Sequence, residues 1–223
     1  MMRQSMHGVF VTGTDTDVGK TVAAAGLVWA LGADYWKPVQ TGTPIQKEDD
    51  TGQIPGTDAA EVVRLTALPP DRVHLSSYVL KDPLSPHQAA EREGVRIRLE
   101  DIVAPETTNP VVVEGAGGVL VPLNDRHLMI DLMEKLGLPV VVVARTALGT
   151  INHTLLTLNA LRGRGLFVAG VILNGPPNPA NRQAIETYGQ IRVLTEIPLL
   201  VPFDSLSAAT VGARLRRNAP AYW

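Results

Sequence analysis

Residues 140–144 read VVVVA, and no polar residue interrupts them. A strand without a polar face has to be covered on both sides, which the interior of a parallel sheet flanked by helices provides. Three further runs are near-continuously apolar: GVFVTG at 8–13, PVVVEGAGG at 110–118 and FVAGVILNG at 167–175. They are rich in β-branched residues and are punctuated by glycine, as buried strands are. DYWKPV at 34–39, stopped by Pro38, and IPLLVP at 197–202 read as two shorter strands. Helical patterns alternate with them: 19–32, 58–68, 128–137, 150–165, 180–190 and 205–217, with two short helices at 86–94 and 99–105. Asp58 stands at or near the N-cap of the second of these, and Pro69-Pro70 forbids its continuation. Residues 41–57 hold much Gly, Pro and charge without periodicity and read as an exposed loop. The alternation predicts an α/β fold, a mostly parallel central sheet with helices on both faces, as one domain over residues 1–223.

The chain of 223 residues is 45% apolar, enough for a sizeable core. A net charge of −2 without a basic stripe argues against nucleic acid as a partner. The one basic run, RLRRN at 214–218, reads as the solvated end of the last helix. The absence of cysteine excludes disulfides, zinc–thiolate sites and a cysteine nucleophile, and fits a reducing compartment. No apolar run precedes a small-residue cleavage site at the N-terminus. The run LPVVVVA is far short of the ~20 residues that span a bilayer. A soluble, cytoplasmic protein with no membrane partner is the expectation.

In open parallel sheets ligands bind at the carboxyl ends of the strands. Chemically capable residues collect there: Gly13–Thr21, Lys37–Gly42, Glu114–Gly118, Arg145–Asn152 and Asn174. The first, GVFVTGTDTDVGKTV at 8–22, is a phosphate-binding loop with its first glycine displaced. The pattern G-x-x-x-x-G-K-[ST] requires glycine at Thr14, and it stands one place earlier, at Gly13. What the chemistry needs is retained. Gly19 admits close backbone approach, Lys20 brings a positive charge to the terminal phosphates, and the Thr21 hydroxyl can hold Mg²⁺. Asp15 and Asp17 are odd in such a loop and are tolerated if they point outward, toward a substrate amine or the rest of the loop. The partitioning and nitrogenase-reductase ATPases carry a second lysine where this chain has Asp15.

The other residues admit two readings each. Lys37 at the sheet's edge could neutralise a transferring phosphoryl group or a carboxylated amine, or be a surface lysine. Glu114 occupies the place of a metal-side carboxylate, or is a solvated turn residue before glycines that something approaches closely. Asp58 is a helix cap or a magnesium ligand. Asn174 matches the donor–acceptor edge of adenine, or forms a turn before Gly175-Pro176. His153 is a residue of a helix's first turn or a catalyst. Thr150–Thr154 open a helix, a place for a carboxylate.

Together these motifs resemble the dethiobiotin synthetase family. Its loop G-T-x-T-x-V-G-K-T is met by GTDTDVGKT, so the displaced glycine is that family's variant. K-P-V-x-[ST]-G, E-G-A-G-G and G-x-x-N-H follow as KPVQTG, EGAGG and GTINH, in order and each just past a predicted strand, within about residues 8 to 205.

The resemblance implies a P-loop NTPase-like fold and an ATP- and Mg²⁺-dependent ligase of biotin biosynthesis. It would carboxylate 7,8-diaminopelargonate with CO₂ or bicarbonate and close the ureido ring. Lys37 and Lys20 are then the catalytic lysines, and Thr21, Asp58 and Glu114 the metal ligands. Nucleotide contacts are implied for Asp17, Val18, Gly19, Lys20, Thr21, Val22, Asp58, Glu114, Gly115, Ala116, Gly117, Asn174, Gly175, Pro198, Leu199 and Leu200. Substrate contacts are implied for Thr16, Lys37, Thr41, Gly118 and Asn152. The family forms homodimers with substrate at the interface, where the helix end near Asn152 would receive the tail carboxylate of substrate bound to the other subunit. Two rivals remain. The synthetase half of cobyrinate diamide enzymes needs a glutaminase domain with a cysteine, and a regulatory switch ATPase would ignore the diamine.

Overall fold

The computed structural model describes residues 6–43, 47, 54–199 and 202–218. Its centre is a seven-stranded sheet in the order β4-β2-β6-β1-β7-β8-β9, with every neighbouring pair parallel. The strands are β1 (Gly8–Gly13), β2 (Asp34–Trp36), β4 (Val73–His74), β6 (Val111–Gly118), β7 (Val140–Arg145), β8 (Val168–Asn174) and β9 (Val193–Ile197). A small parallel pair, β3 (Val39–Gln40) with β5 (Tyr78–Val79), extends beyond β2. The valine run sits where its composition demands: Val140–Ala144 is buried in β7, between β1 and β8.

Two apolar layers cover the sheet. Helices α1 (Lys20–Leu31), α2 (Asp58–Thr66) and α7 (Ser205–Asn218) pack on one face. Helices α3 (Pro86–Arg92), α4 (Met129–Leu136), α5 (Thr150–Gly163) and α6 (Pro179–Gly189) pack on the other. The small residues of α1 have a structural reason, because α1 lies between the sheet and α7. A Cβ on Gly26 would come within 2.6 Å of Val211, and one on Gly212 within 2.5 Å of Trp29. Arg216 fastens the crossing by donating to the carbonyls of Trp29 and Ala30. The basic run is therefore more than a solvated helix end.

Several predicted bounds change. The stretch 99–105 is a turn followed by irregular chain instead of a short helix. The carbonyls of Leu99, Glu100 and Ile102 are taken by Lys135 Nζ, while Ile102 is buried in the core. The last strand of the sheet lies at 193–197, ahead of the predicted 197–202, of which 200 and 201 lie outside the described residues. The VLTEI pattern runs along the sheet's edge, where Glu196 is only partly buried. EGAGG is the continuation of β6 and not a turn, so Glu114 lies in mid-strand, in register with Val11. The predicted exposed loop falls largely on 44–46 and 48–53, outside the described residues; within it Thr43 is buried. No helix among the described residues is long and apolar enough to cross a membrane.

Candidate active site

Strand β1 delivers the phosphate-binding loop into the opening of α1. Gly13, still part of β1, is required by close approach, since a Cβ there would lie 2.6 Å from the Asp15 carbonyl and 2.8 Å from Val18. The left-handed positions fall later, at Asp17 (φ 54°) and Gly19 (φ 91°), which is why a threonine is accommodated at position 14. A side chain on Gly19 would collide with the Asn174 amide at 2.0 Å. Lys20 Nζ donates to the Asp15 carbonyl at 3.0 Å, and Thr14 N–H to Val143 O at 2.9 Å.

A buried charged network adjoins the loop. Lys37, just past β2, pairs with both Asp58 and Glu114, the latter at 3.1 Å. Lys37 is 5% exposed and Glu114 1%, which removes the readings of a surface lysine and a solvated turn residue. Tyr35 donates its hydroxyl to Glu114 Oε2 at 2.8 Å. Thr21 Oγ1 stands 2.9 Å from Asp58 Oδ1 and 3.0 Å from Glu114 Oε1. A hydroxyl carries one proton and cannot donate to both. Three oxygens thus converge with fewer protons than contacts, the donor set that a hard divalent cation takes. No cluster of three or more His, Cys, Asp or Glu occurs among the described residues, so such a cation would draw further ligands from phosphate and water, as Mg²⁺ commonly does.

The cap of α2 resolves the ambiguity at Asp58. Thr57 is the N-cap and accepts the Ala60 N–H at 3.2 Å, which frees the Asp58 side chain for the network. Gln40 Oε1 accepts the Asp58 N–H at 3.2 Å and holds that helix end to the β3 segment.

The electrostatics follow from burial against pairing. Burial pushes the Lys37 ammonium down, but Glu114 and Asp58 outweigh it and hold the group above its ordinary range. Burial pushes Lys20 down, and Glu114 only partly offsets this; the charge of Lys37 lowers it further, as expected for two ammonium groups in one cleft. Burial raises Glu114 against the pull of Lys37. At Asp58 burial acts upward, yet the Lys37 charge and hydrogen bonds bring the group below the ordinary carboxylate range. Burial and Glu114 push the Tyr35 phenol well up, so it stays a donor.

Against the phosphate loop lies a cavity of about 520 Å³. Thr14, Asp15, Thr16 and Gly118 border it at the loop, and Val119–Pro122 and the α5 residues His153, Leu156, Thr157 and Ala160 form its walls. Of the predicted residues, Thr21, Lys37, Asp58 and Glu114 meet in the network, Lys20 lies within reach of its charges, and Thr16 and Gly118 border the cavity. Asn174 Nδ2 donates to Val18 O at 3.0 Å, which ties it to the loop and uses one of its two amide hydrogens. Gly175 N–H bonds Ile197 O at 2.9 Å, bringing Pro198 and Leu199 alongside. Val22 is partly buried in the first turn of α1. Gly115 and Ala116 are buried, and Gly117 adopts φ 67°. Thr41 is half-buried, and its carbonyl accepts from Gln40. Asn152 is exposed on the first turn of α5, outside the cavity lining, and Leu200 lies outside the described residues. Sequence reasoning missed Tyr35 and Gln40 because both sit inside β-strand patterns, and it missed the cavity walls because leucine and valine carry no chemical signal.

A family model described as an AAA domain matches residues 7–205. The sequence is 56% identical over 206 residues to the ATP-dependent dethiobiotin synthetase BioD of Paramagnetospirillum magneticum, covering 92% of this chain and 93% of that protein. The chain belongs to the ATP-dependent dethiobiotin synthetase family. A second family member, from Lawsonia intracellularis, is 44% identical over 95% of this chain and 93% of its own length. Outside the dethiobiotin synthetase family, the septum site-determining protein MinD of Pyrococcus horikoshii, solved with Mg-ADP, superposes with a TM-score of 0.56 at 15% identity, covering 96% and 92% of the two chains. A ParA family ATPase from Chlorobium tepidum gives 0.54 at 14%, covering 96% of each chain. These two establish the shared P-loop α/β fold.

Proposed function

We propose that the chain, acting as one domain, carboxylates 7,8-diaminopelargonate and closes its ureido ring at the expense of ATP. One amine adds to CO₂ and loses a proton, giving a carbamate. A carbamate oxygen attacks the γ-phosphorus and ADP leaves. The second amine attacks the carbamoyl carbon, the carbon–oxygen bond breaks, phosphate departs with that oxygen, and the ring nitrogen gives up its proton. Lys37 holds the carbamate against the γ-phosphate. Lys20 exchanges the Asp15 carbonyl for phosphate oxygens, and the loop N–H groups of Val18–Thr21 bind the remaining charge. Asn174, Gly175, Pro198 and Leu199 hold the base, with Asp17 and Val22 at the loop and Gly115–Gly117 beside it. Leu200 is proposed for the base side from sequence alone.

Thr21, Asp58 and Glu114 hold Mg²⁺, which when bound screens the phosphate charge. Thr16, Thr41 and Gly118 contact the diamine. The working form is a cytoplasmic homodimer in which the α5 end near Asn152 meets the tail carboxylate of substrate held by the partner subunit. Exposed Leu120 and Leu156, which line the cavity, support that interface. The observation that carries the reading is a buried lysine, Lys37, touching both carboxylates beside the phosphate loop, in a member of this family. Incubation with diamine, bicarbonate and MgATP should give dethiobiotin by mass spectrometry. ATP hydrolysis indifferent to the diamine would instead favour a switch ATPase.

A further inference from the structure

That reading gives no work to Asp15, a carboxylate in a loop built for phosphate. Both of its oxygens are engaged: Oδ1 accepts the Thr16 N–H at 2.8 Å, and Oδ2 pairs with Arg145, the last residue of β7. Arg145 is itself anchored, since its carbonyl accepts the Thr150 hydroxyl at the start of α5. Both side chains of the pair are half exposed, a setting in which an ion pair adds little to folding. Its use has to be sought in the cavity. Asp15 is the one carboxylate among the described residues that line it, and it stands at the loop end of walls that are mostly valine, leucine and proline, with His153 and Thr157 among them. An apolar trough with a single anionic end suits an alkyl chain that carries an amine.

We infer that Asp15 recognises the substrate amine that is not carboxylated, and that Arg145 is its positioning residue. This deepens the proposed function and rests on the substrate being a vicinal diamine. A carboxylate has about four acceptor sites, so Asp15 keeps capacity for an ammonium while two sites are held. Arg145 also cancels the Asp15 charge toward the triphosphate in the same loop. The position that carries a lysine in the partitioning ATPases thus becomes here an acid with a guanidinium borrowed from the neighbouring strand.

The test compares Asp15→Asn with the wild-type chain, varying diamine and ATP separately and measuring ATP affinity directly. Asp15→Asn should raise the KM for diamine roughly tenfold or more while the ATP dissociation constant stays within about twofold. Of the two single-amine analogues of the substrate, the one lacking the amine that is not carboxylated should compete more weakly than the diamine in the wild type and approach it in the variant. Arg145→Ala should raise the diamine KM by about threefold, and Arg145→Lys should recover most of it. An unchanged diamine KM in Asp15→Asn overturns the inference. So does an ATP dissociation constant that rises by the same factor, since the pair would then only shape the loop. Failure of the wild-type chain to make dethiobiotin sinks the proposed function instead, so the two failures are distinct.

Discussion

Strand β2 is three residues long and has a buried charge at each end, Asp34 where it begins and Lys37 just beyond its finish. Asp34 is surrounded by donors: Arg72 Nε at 2.8 Å, Thr107 Oγ1 at 2.8 Å, Asn109 Nδ2 at 2.9 Å and His74 Nε2 at 3.1 Å. Burial works against its ionisation, but the hydrogen bonds, from Thr107 foremost, bring its pKa below the ordinary range. At the other end Glu114 and Asp58 share Lys37 and a single threonine proton, Tyr35 gives Glu114 one more donor, and burial leaves Glu114 raised. A buried carboxylate with a donor for each acceptor holds strands together. A pair with about one donor to each oxygen keeps open acceptor sites, a place where a ligand completes the set.

The largest expected effect separates the two ends. Lys37→Ala should abolish ring closure while ATP affinity changes by no more than about tenfold, ~1.4 kcal/mol, read by product formation beside nucleotide titration. A parallel loss of nucleotide binding would put Lys37 in another role. Asp34→Ala should do the reverse. Stranding Arg72 beside a buried gap should cost about 3 kcal/mol in denaturant unfolding, while activity per folded molecule holds.

Glu114→Gln sharpens the contrast further. Mg²⁺-dependent nucleotide binding should weaken by roughly tenfold, yet stability near neutral pH should change by less than about 1 kcal/mol, because the charge removed is one that burial disfavours. An unchanged Mg²⁺ titration would remove Glu114 from the proposed metal site.

The two carboxylates also differ in the sign of their linkage to pH. The lowered pKa of Asp34 means that its stabilisation is complete above the unfolded value of about 3.9 and is lost as pH falls through the folded value. Glu114 runs the other way: its contribution is greatest below the unfolded value of about 4.3 and declines as pH rises through its raised folded value. Asp34→Asn should therefore flatten the acid limb of the stability curve, and Glu114→Gln should remove an opposing slope above it. Identical limbs in unfolding curves collected across pH would contradict both assignments. The smallest effect belongs to Thr57→Ala, where losing the cap of α2 should cost about 1 kcal/mol and slightly loosen Asp58.

The motifs were legible because their residue types are chemically unusual for their places: a lysine just past a strand, an acid after three valines within one. The sheet's interior was legible for the reason that opens the sequence, since a run of valines has few alternatives. The Asp34 node was not legible. Its donors come from 38 to 75 residues away, and only the finished topology brings them together. The strands β4 and β5 were missed because two residues carry no period. The cap of α2 was read one residue late because Thr57 and Asp58 are both good caps, and the choice between them was made by Lys37 and Thr21 at long range.

The central claim is that Lys37 and the phosphate loop bring a carbamate to the γ-phosphate in one site. Bicarbonate labelled with ¹⁸O, mixed with diamine and MgATP and quenched before exchange with water, tests it most directly. The account predicts one labelled oxygen in each phosphate released, in step with dethiobiotin formed and absent without the diamine. Unlabelled phosphate accompanying ring closure would contradict it.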